Sequence, residues 1–174
     1  GMIVDCSHAG QRSTLDIMRA SSKPVVFSHS NPRALWNHQR NISDEQIKAC
    51  ADTGGVIGLN GMGIFLGDNV IDTDSLLRHV RYVSDLVGTA HIGFGFDYSP
   101  AIDIDIGAIL RSRPDYWPAG QQYDTQGIRH AGPKQLPALI DALAKSGFDD
   151  AAIRGFLGEN FRRVASSAWQ GSAA

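Results

Sequence analysis

The sequence has 174 residues, 43% of them hydrophobic and 20% charged, which is room for one domain with a real core and argues against disorder of the chain as a whole. A formal net charge of -2, from 16 basic and 18 acidic side chains, gives no electrostatic case for nucleic acid or an anionic membrane as partner. No apolar run reaches membrane-spanning length and the N-terminus lacks a signal-peptide pattern, so the chain is expected in the cytoplasm by default.

Gly1 before Met2 reads as a residue left by cleavage of a tag. Residues 2–8, MIVDCSH, read as a first strand that begins at once, with no loop before it. That start is unusual for a parallel strand, which is normally interior, and leaves two readings, a native chain that begins at Met2 or a piece cut from something longer. Residues 11–20 form a helix with Leu15, Ile17 and Met18 on its apolar face and Ser13 or a neighbour as cap. Residues 24–31, PVVFSHSN, repeat the pattern of the first strand: apolar residues running into a Ser-His pair. Pro24 suits the first residue of a strand and would be wrong in its middle.

Residues 31–42 form a long polar connection that holds Arg33, Trp36, His38 and Arg40. Ser43 opens a second helix, with Glu45 or Gln46 at capping-box distance, and Thr53-Gly54-Gly55 ends it. Residues 56–60 are a third strand. The glycines that follow match neither a P-loop nor a dinucleotide fingerprint, so phosphate binding is not supported. Residues 72–87 carry Leu76, Leu77, Val80, Val83 and Val87 at helical spacing, and Gly88 closes them. Residues 91–97, HIGFGFD, are a fourth strand ending on Asp97. Residues 98–133 are irregular and too long for an ordinary connection, which suggests an excursion that packs on a site or a partner. Three helices follow: 134–146, one capped by Asp149 or Asp150, and 160–169. Cys6 and Cys50 are the only cysteines and read as free, buried thiols rather than a disulfide.

The fold class is α/β, built of parallel strand-helix units. Four such units make half of an eight-stranded barrel, or else a small open sheet with helices on both faces. His8, His29 and Asp97 then share one relative position, the C-terminal end of a strand, where α/β barrels place their chemistry. The 21-residue separation of the histidines suits neighbouring parallel strands joined by a helix. A single histidine near a strand end is more often a core or hydrogen-bonding residue than a ligand. The repeated pattern favours a metal pair, and imidazole suits zinc. Zinc takes three or four protein ligands, so two histidines leave the shell incomplete.

Taken in order, IVDCSHAG, PVVFSHSNPRALWNHQRN, ISDEQIKACADTGGVIGLNG, HIGFGFD and GENFRRV resemble the membrane dipeptidase family, zinc-dependent metallopeptidases with a (β/α)8 barrel and a two-zinc site. The resemblance runs over almost the whole chain. It implies that His8 and His29 are the histidine ligands of the second zinc. It implies that Arg40 holds the substrate's terminal carboxylate and that Asp97 carries the proton during attack and departure. Ser99 stands where the family often has a second aspartate. The family's H-x-D pair, bridging glutamate and a further substrate-binding histidine have no counterpart here. The chain is therefore expected to be a single domain over residues 1–174, the C-terminal half of a dipeptidase-like barrel, with at most a weak zinc half-site. The implied reaction is metal-assisted hydrolysis of a dipeptide. The rival expectation is a non-catalytic half-barrel that self-associates, because four buried parallel strands need cover on edges and faces. A homo-oligomer is expected in that case.

Overall fold

The computed structural model describes residues 1–98, 106–117, 120–125 and 127–169. Four parallel strands lie side by side in chain order: β1 (Val4–Asp5), β2 (Val25–Phe27), β3 (Val56–Leu59) and β4 (Ile92–Phe94). Helix α1 (Gln11–Ala20) joins the first pair and α2 (Asp44–Asp52) the second. The third connection holds a short helix, α3 (Gly63–Leu66), and a long one, α4 (Thr73–Val87). After the sheet come α5 (Ile106–Ser112), α6 (Leu136–Lys145), α7 (Asp150–Arg154) and α8 (Asn160–Trp169). Parallel strands in sequential order with helical crossovers are a partial (β/α) barrel, as the sequence pattern implies.

Side-chain alternation gives the sheet two different faces. Val25, Phe27, Ile57, Leu59 and Ile92 belong to the main core with Ile47 of α2, Leu76, Val80 and Val83 of α4, Leu139 and Leu143 of α6, and Phe156. Each such fully buried side chain contributes about 1.5–3 kcal/mol of hydrophobic stabilisation. Val26 and Val56 point the other way, into a small cluster with Ile3, Phe161 and Val164. Helix α8 thus covers the second face of the sheet. Small residues make that approach feasible, because a side chain at Gly93 would run into the ring of Phe161.

The strands are shorter than their apolar runs suggest. Cys6 still continues the ladder, donating its N–H to Val26 O at 2.8 Å, but the chain then turns and His8 takes φ 67°. Asp97 likewise leaves the extended region, with φ 56°. Non-glycine residues pay roughly 1–2 kcal/mol for this left-handed backbone. In each case the strand stops just short of a polar side chain that the register then presents at the sheet's C-terminal edge.

Helix starts follow local chemistry, with one correction. Ser43 caps α2 through a complete capping box with Gln46, and Asp72 and Asp149 cap α4 and α7. Helix α1 begins instead at Gly10 without a side-chain cap, so Ser13 lies inside the helix and not before it. Both cysteines are free and buried. β1 also departs from expectation, because both of its residues are exposed. It forms one edge of the sheet, and no strand among the described residues pairs with its outer side. No helix among the described residues is long and apolar enough to cross a membrane.

Candidate active site

The parallel register Val4↔Val25 and Asp5↔Val26 sets the ends of β1 and β2 beside each other. His8 and His29 meet there. Their Nε2 atoms stand 2.8 Å apart, with ring centroids 4.9 Å apart and planes tilted by 57°. Ring nitrogens this close must be one N–H donor and one bare acceptor. The two serines that precede the histidines brace the same corner. Ser7 Oγ accepts the His29 N–H at 3.1 Å and lies 3.3 Å from Ser30 Oγ.

Ser28 does something different. Its hydroxyl donates to Asp5 Oδ2 at 2.5 Å and lies 2.6 Å from His29 Nδ1. Asp5 Oδ1 accepts the N–H groups of Ser7 at 2.9 Å and Ser28 at 3.0 Å. Burial acts to raise the Asp5 carboxyl. Hydrogen bonds from the Ser28 hydroxyl and from the Ser7 and Ser28 amides, with the nearby His29, outweigh it and hold the group below its usual value. Asp5 is a site residue that the sequence reading missed. Its position inside an apolar strand was the only signal for it.

Arg40 reaches the same corner from the long connection after β2. One guanidinium nitrogen lies 3.3 Å from His29 O, to which it donates, and 3.4 Å from His8 Nε2, and the group rests over the Phe65 ring at 5.6 Å. His38 holds this arginine by its backbone. Its Nδ1 accepts the Arg40 N–H at 3.1 Å, so its Nε2–H donates to Gln121 O at 2.7 Å. The ring is buried among Phe65 and Tyr123, and burial lowers its pKa from the ordinary value. His38 is thus a buried anchor of the polar connection that the sequence places it in.

Asp97, at the end of β4, is exposed, and its Oδ2 accepts from Asn60 Nδ2 at 3.5 Å. Its charge acts on the ring across the sheet edge. Burial, Arg40 and His29 lower the pKa of His8, and Asp97 and Asp5 oppose them. Two clefts flank the histidines. One, of about 240 Å³, is lined by His8, Gln11, Arg33 and Arg40, and the other by Ser28, His29, Gly95 and Asp97. The histidine pair therefore stands between the arginine and the aspartate. His91 is spent elsewhere, its Nδ1 2.8 Å from Gly55 O. Ser99 lies outside the described residues.

Two imidazoles with converging Nε2 atoms fit two positions of a metal shell. Zinc-bound imidazole nitrogens in a tetrahedral site stand about 3.3 Å apart, so the pair needs only a small opening to admit the ion. Among the described residues no group of three or more His, Cys, Asp or Glu side chains could hold a metal ion.

Residues 1–106 match the family model described as membrane dipeptidase, Peptidase family M19. The chain belongs to the membrane dipeptidase family. Among its relatives, an uncharacterized protein in the pqqA 5' region of Klebsiella pneumoniae is 32% identical over 174 residues, covering 97% of this chain and 56% of the relative. An amidohydrolase from Pseudomonas aeruginosa superposes with a TM-score of 0.79 at 28% identity, over 98% of this chain and 54% of that one. A metallopeptidase from Rhodobacter sphaeroides, liganded with a phosphinate mimic of the dipeptide L-Ala-D-Ala, gives 0.68 at 26% identity, over 95% of this chain and 42% of that one. The chain spans about half the length of these relatives.

The extent of the match corrects the sequence reading. The sequence pattern implies a resemblance to the family's C-terminal half only. The family match instead falls on residues 1–106, the N-terminal part of this chain. That part holds the four strands and all four strand-end and loop residues singled out above.

Proposed function

We propose that this chain supplies the second-zinc histidines, the carboxylate clamp and the proton carrier of a dipeptidase site. One observation carries the reading: His8 Nε2 and His29 Nε2 converge to 2.8 Å with the Arg40 guanidinium 3.4 Å from the first. Zinc, when bound, would lower the pKa of a bound water and polarise the scissile carbonyl. His8 and His29 would hold it through Nε2. Arg40 offers a planar fork to the terminal carboxylate of a dipeptide, a geometry that lysine cannot reproduce. Asp97, on the other side of the histidine pair, would take the proton from the attacking water and return it to the leaving amine.

Zinc calorimetry tests the half-site. With two imidazoles as the protein ligands, a dissociation constant weaker than roughly 10⁻⁶ M, about -8 kcal/mol, is expected. Binding tighter than roughly 10⁻⁸ M, about -11 kcal/mol, would mean that further ligands complete the shell and would overturn it. The activity is tested by dipeptide turnover in protein that holds the complete metal shell, with Arg40→Lys beside the wild type. A KM raised about tenfold with kcat little changed is expected, the mark of lost uniform binding. No turnover by zinc-loaded wild type would remove the dipeptidase reading.

The exposed edge of β1 favours a second reading, a non-catalytic module that self-associates. Val4, on a strand with an unpaired outer edge, is 41% exposed, and Met2 just before that strand is 87% exposed.

A further inference from the structure

We infer that Asp5 and Ser28 are positioning residues that hold His29 as its Nδ1–H tautomer and so keep Nε2 bare for a metal ion. The inference rests on the reading of His29 as a ligand, and it adds two residues to which no role has been given.

The argument is a count of protons along one chain of hydrogen bonds. Ser28 has a single hydroxyl proton. Asp5 Oδ2 takes it, at 2.5 Å. The same oxygen, 2.6 Å from His29 Nδ1, has then no proton left to donate and can only accept. His29 Nδ1 must therefore carry the N–H. In a neutral ring this leaves Nε2 with its lone pair exposed, facing His8. His8 is then the donor across the 2.8 Å contact, through Nε2–H, and the Arg40 guanidinium nitrogen 3.4 Å from the same atom can donate to it only once that proton has left.

The direction of the chain is set at its far end. Asp5 accepts three hydrogen bonds, from Ser28 Oγ and from the N–H groups of Ser7 and Ser28. All three donors favour the ionised carboxylate, so the carboxylate cannot supply the proton that the reverse arrangement would need. The two amides also pin the carboxylate to both strand ends, β1 and β2, so that it cannot swing away without breaking the corner. A carboxylate acting on a ligand histidine through the other ring nitrogen fixes ring orientation and tautomer and raises ligand basicity. Here the hydroxyl of Ser28 is interposed. The Ser-His pair after β1 has no such chain, because Ser7 Oγ is used on the His29 amide and on Ser30. The two histidines are therefore unequal: His29 is preset for metal, whereas His8 would have to move its proton from Nε2 to Nδ1 and break its bond to His29 before it could serve as a ligand.

The test reads the tautomer directly and needs no metal. Long-range proton–nitrogen NMR of the imidazoles is recorded on metal-free protein at about pH 8, where an ordinary histidine is neutral. His29 is expected as Nδ1–H and His8 as Nε2–H. A His29 that is chiefly Nε2–H in the wild type overturns the inference without touching the dipeptidase reading. In Ser28→Ala the His29 tautomer should shift toward Nε2–H, and the zinc dissociation constant should rise roughly 10–100-fold. Asp5→Asn should weaken zinc in the same direction, and Ser28→Thr, which keeps the hydroxyl, should restore both readouts. Unchanged tautomer and unchanged zinc affinity in Ser28→Ala would overturn the positioning role, because a purely structural serine would leave both alone.

Discussion

His79 sits on α4 with no exposed surface, its Nε2 3.0 Å from Leu66 O and its Nδ1 buried without a partner among the described residues. The carbonyl can only accept, so Nε2 carries the proton and Nδ1 is a bare lone pair in an apolar core. Burial pushes the pKa of this ring down to about 4, with the Leu66 carbonyl opposing and Arg78 reinforcing the shift. The unfolded chain takes up a proton here below about pH 6.5, and the folded chain refuses it until about pH 4. Stability from this group is therefore complete above pH 6.5 and is lost as the pH falls toward 4. The full difference is about 3 kcal/mol, of which about 2 kcal/mol is gone at pH 5. Denaturant unfolding at pH 7 and pH 5 checks this. His79→Gln should be less stable at pH 7, yet lose about 2 kcal/mol less than the wild type between the two conditions. An identical loss in both proteins would show that another group controls the acid limb. His38 follows the same physics with a different outcome. Both of its nitrogens are satisfied, and the gain is a fixed Arg40.

At the scale of the element, α8 decides what the second face of the sheet becomes. Strand residues Val26 and Val56 offer it apolar surface, and Gly58 and Gly93 offer room for the Phe161 ring. Asn160, the first residue of α8, ties the helix down, its side-chain amide donating to Ile92 O at 2.8 Å and Thr89 O at 2.9 Å. The π-helical segment Gly155–Glu159 delivers it there, with Gly158 at φ 150°. A methyl group at position 93 meets the aromatic ring, so Gly93→Ala should cost about 1–3 kcal/mol as overpacking does. Phe161→Leu removes that obstacle at a packing cost of its own. In a double-mutant cycle the two changes should couple by at least roughly 0.5 kcal/mol, with the double variant more stable than the sum of the singles implies. Additive effects would show that Phe161 does not occupy that space in solution.

For the whole molecule, the exposed edge of the sheet is β1. A parallel sheet is normally covered on its faces, and its edges are protected by short strands, charge or a neighbour. At β1 the strand is two residues long and one of them, Asp5, is charged, but its carboxylate is turned to Ser7 and Ser28. The self-association proposed above predicts a light-scattering mass above that of the 18.8 kDa monomer, rising with concentration. Val4→Lys places a charge on the exposed strand and should weaken association roughly tenfold or more, about 1.4 kcal/mol. A wild-type chain that stays monomeric at every concentration tested would remove the self-association reading.

Much of this architecture was legible in the residues themselves, because strands and helices announce themselves by local period. The apolar runs before His8, His29 and Asp97 placed three polar side chains at three strand ends, and the sheet brings all three to one edge. The cap at Ser43 was legible for the same reason, since capping is a matter of neighbours in sequence. Helix α3 was not, because four residues are too few to show a helical period, and α5 was hidden in a stretch that read as irregular. What only the tertiary structure decided depends on register and on distance through space. The Asp5–Ser28–His29 chain exists because Asp5 lies opposite Val26, a pairing across 21 positions that no local pattern encodes. The anchoring of Arg40 by His38 requires Gln121, 83 positions away, to take the other ring nitrogen. The cover that α8 gives the sheet likewise joins Phe161 to Gly93. Composition and spacing determine which side chains are available at a strand's end, and packing determines which of them share a proton.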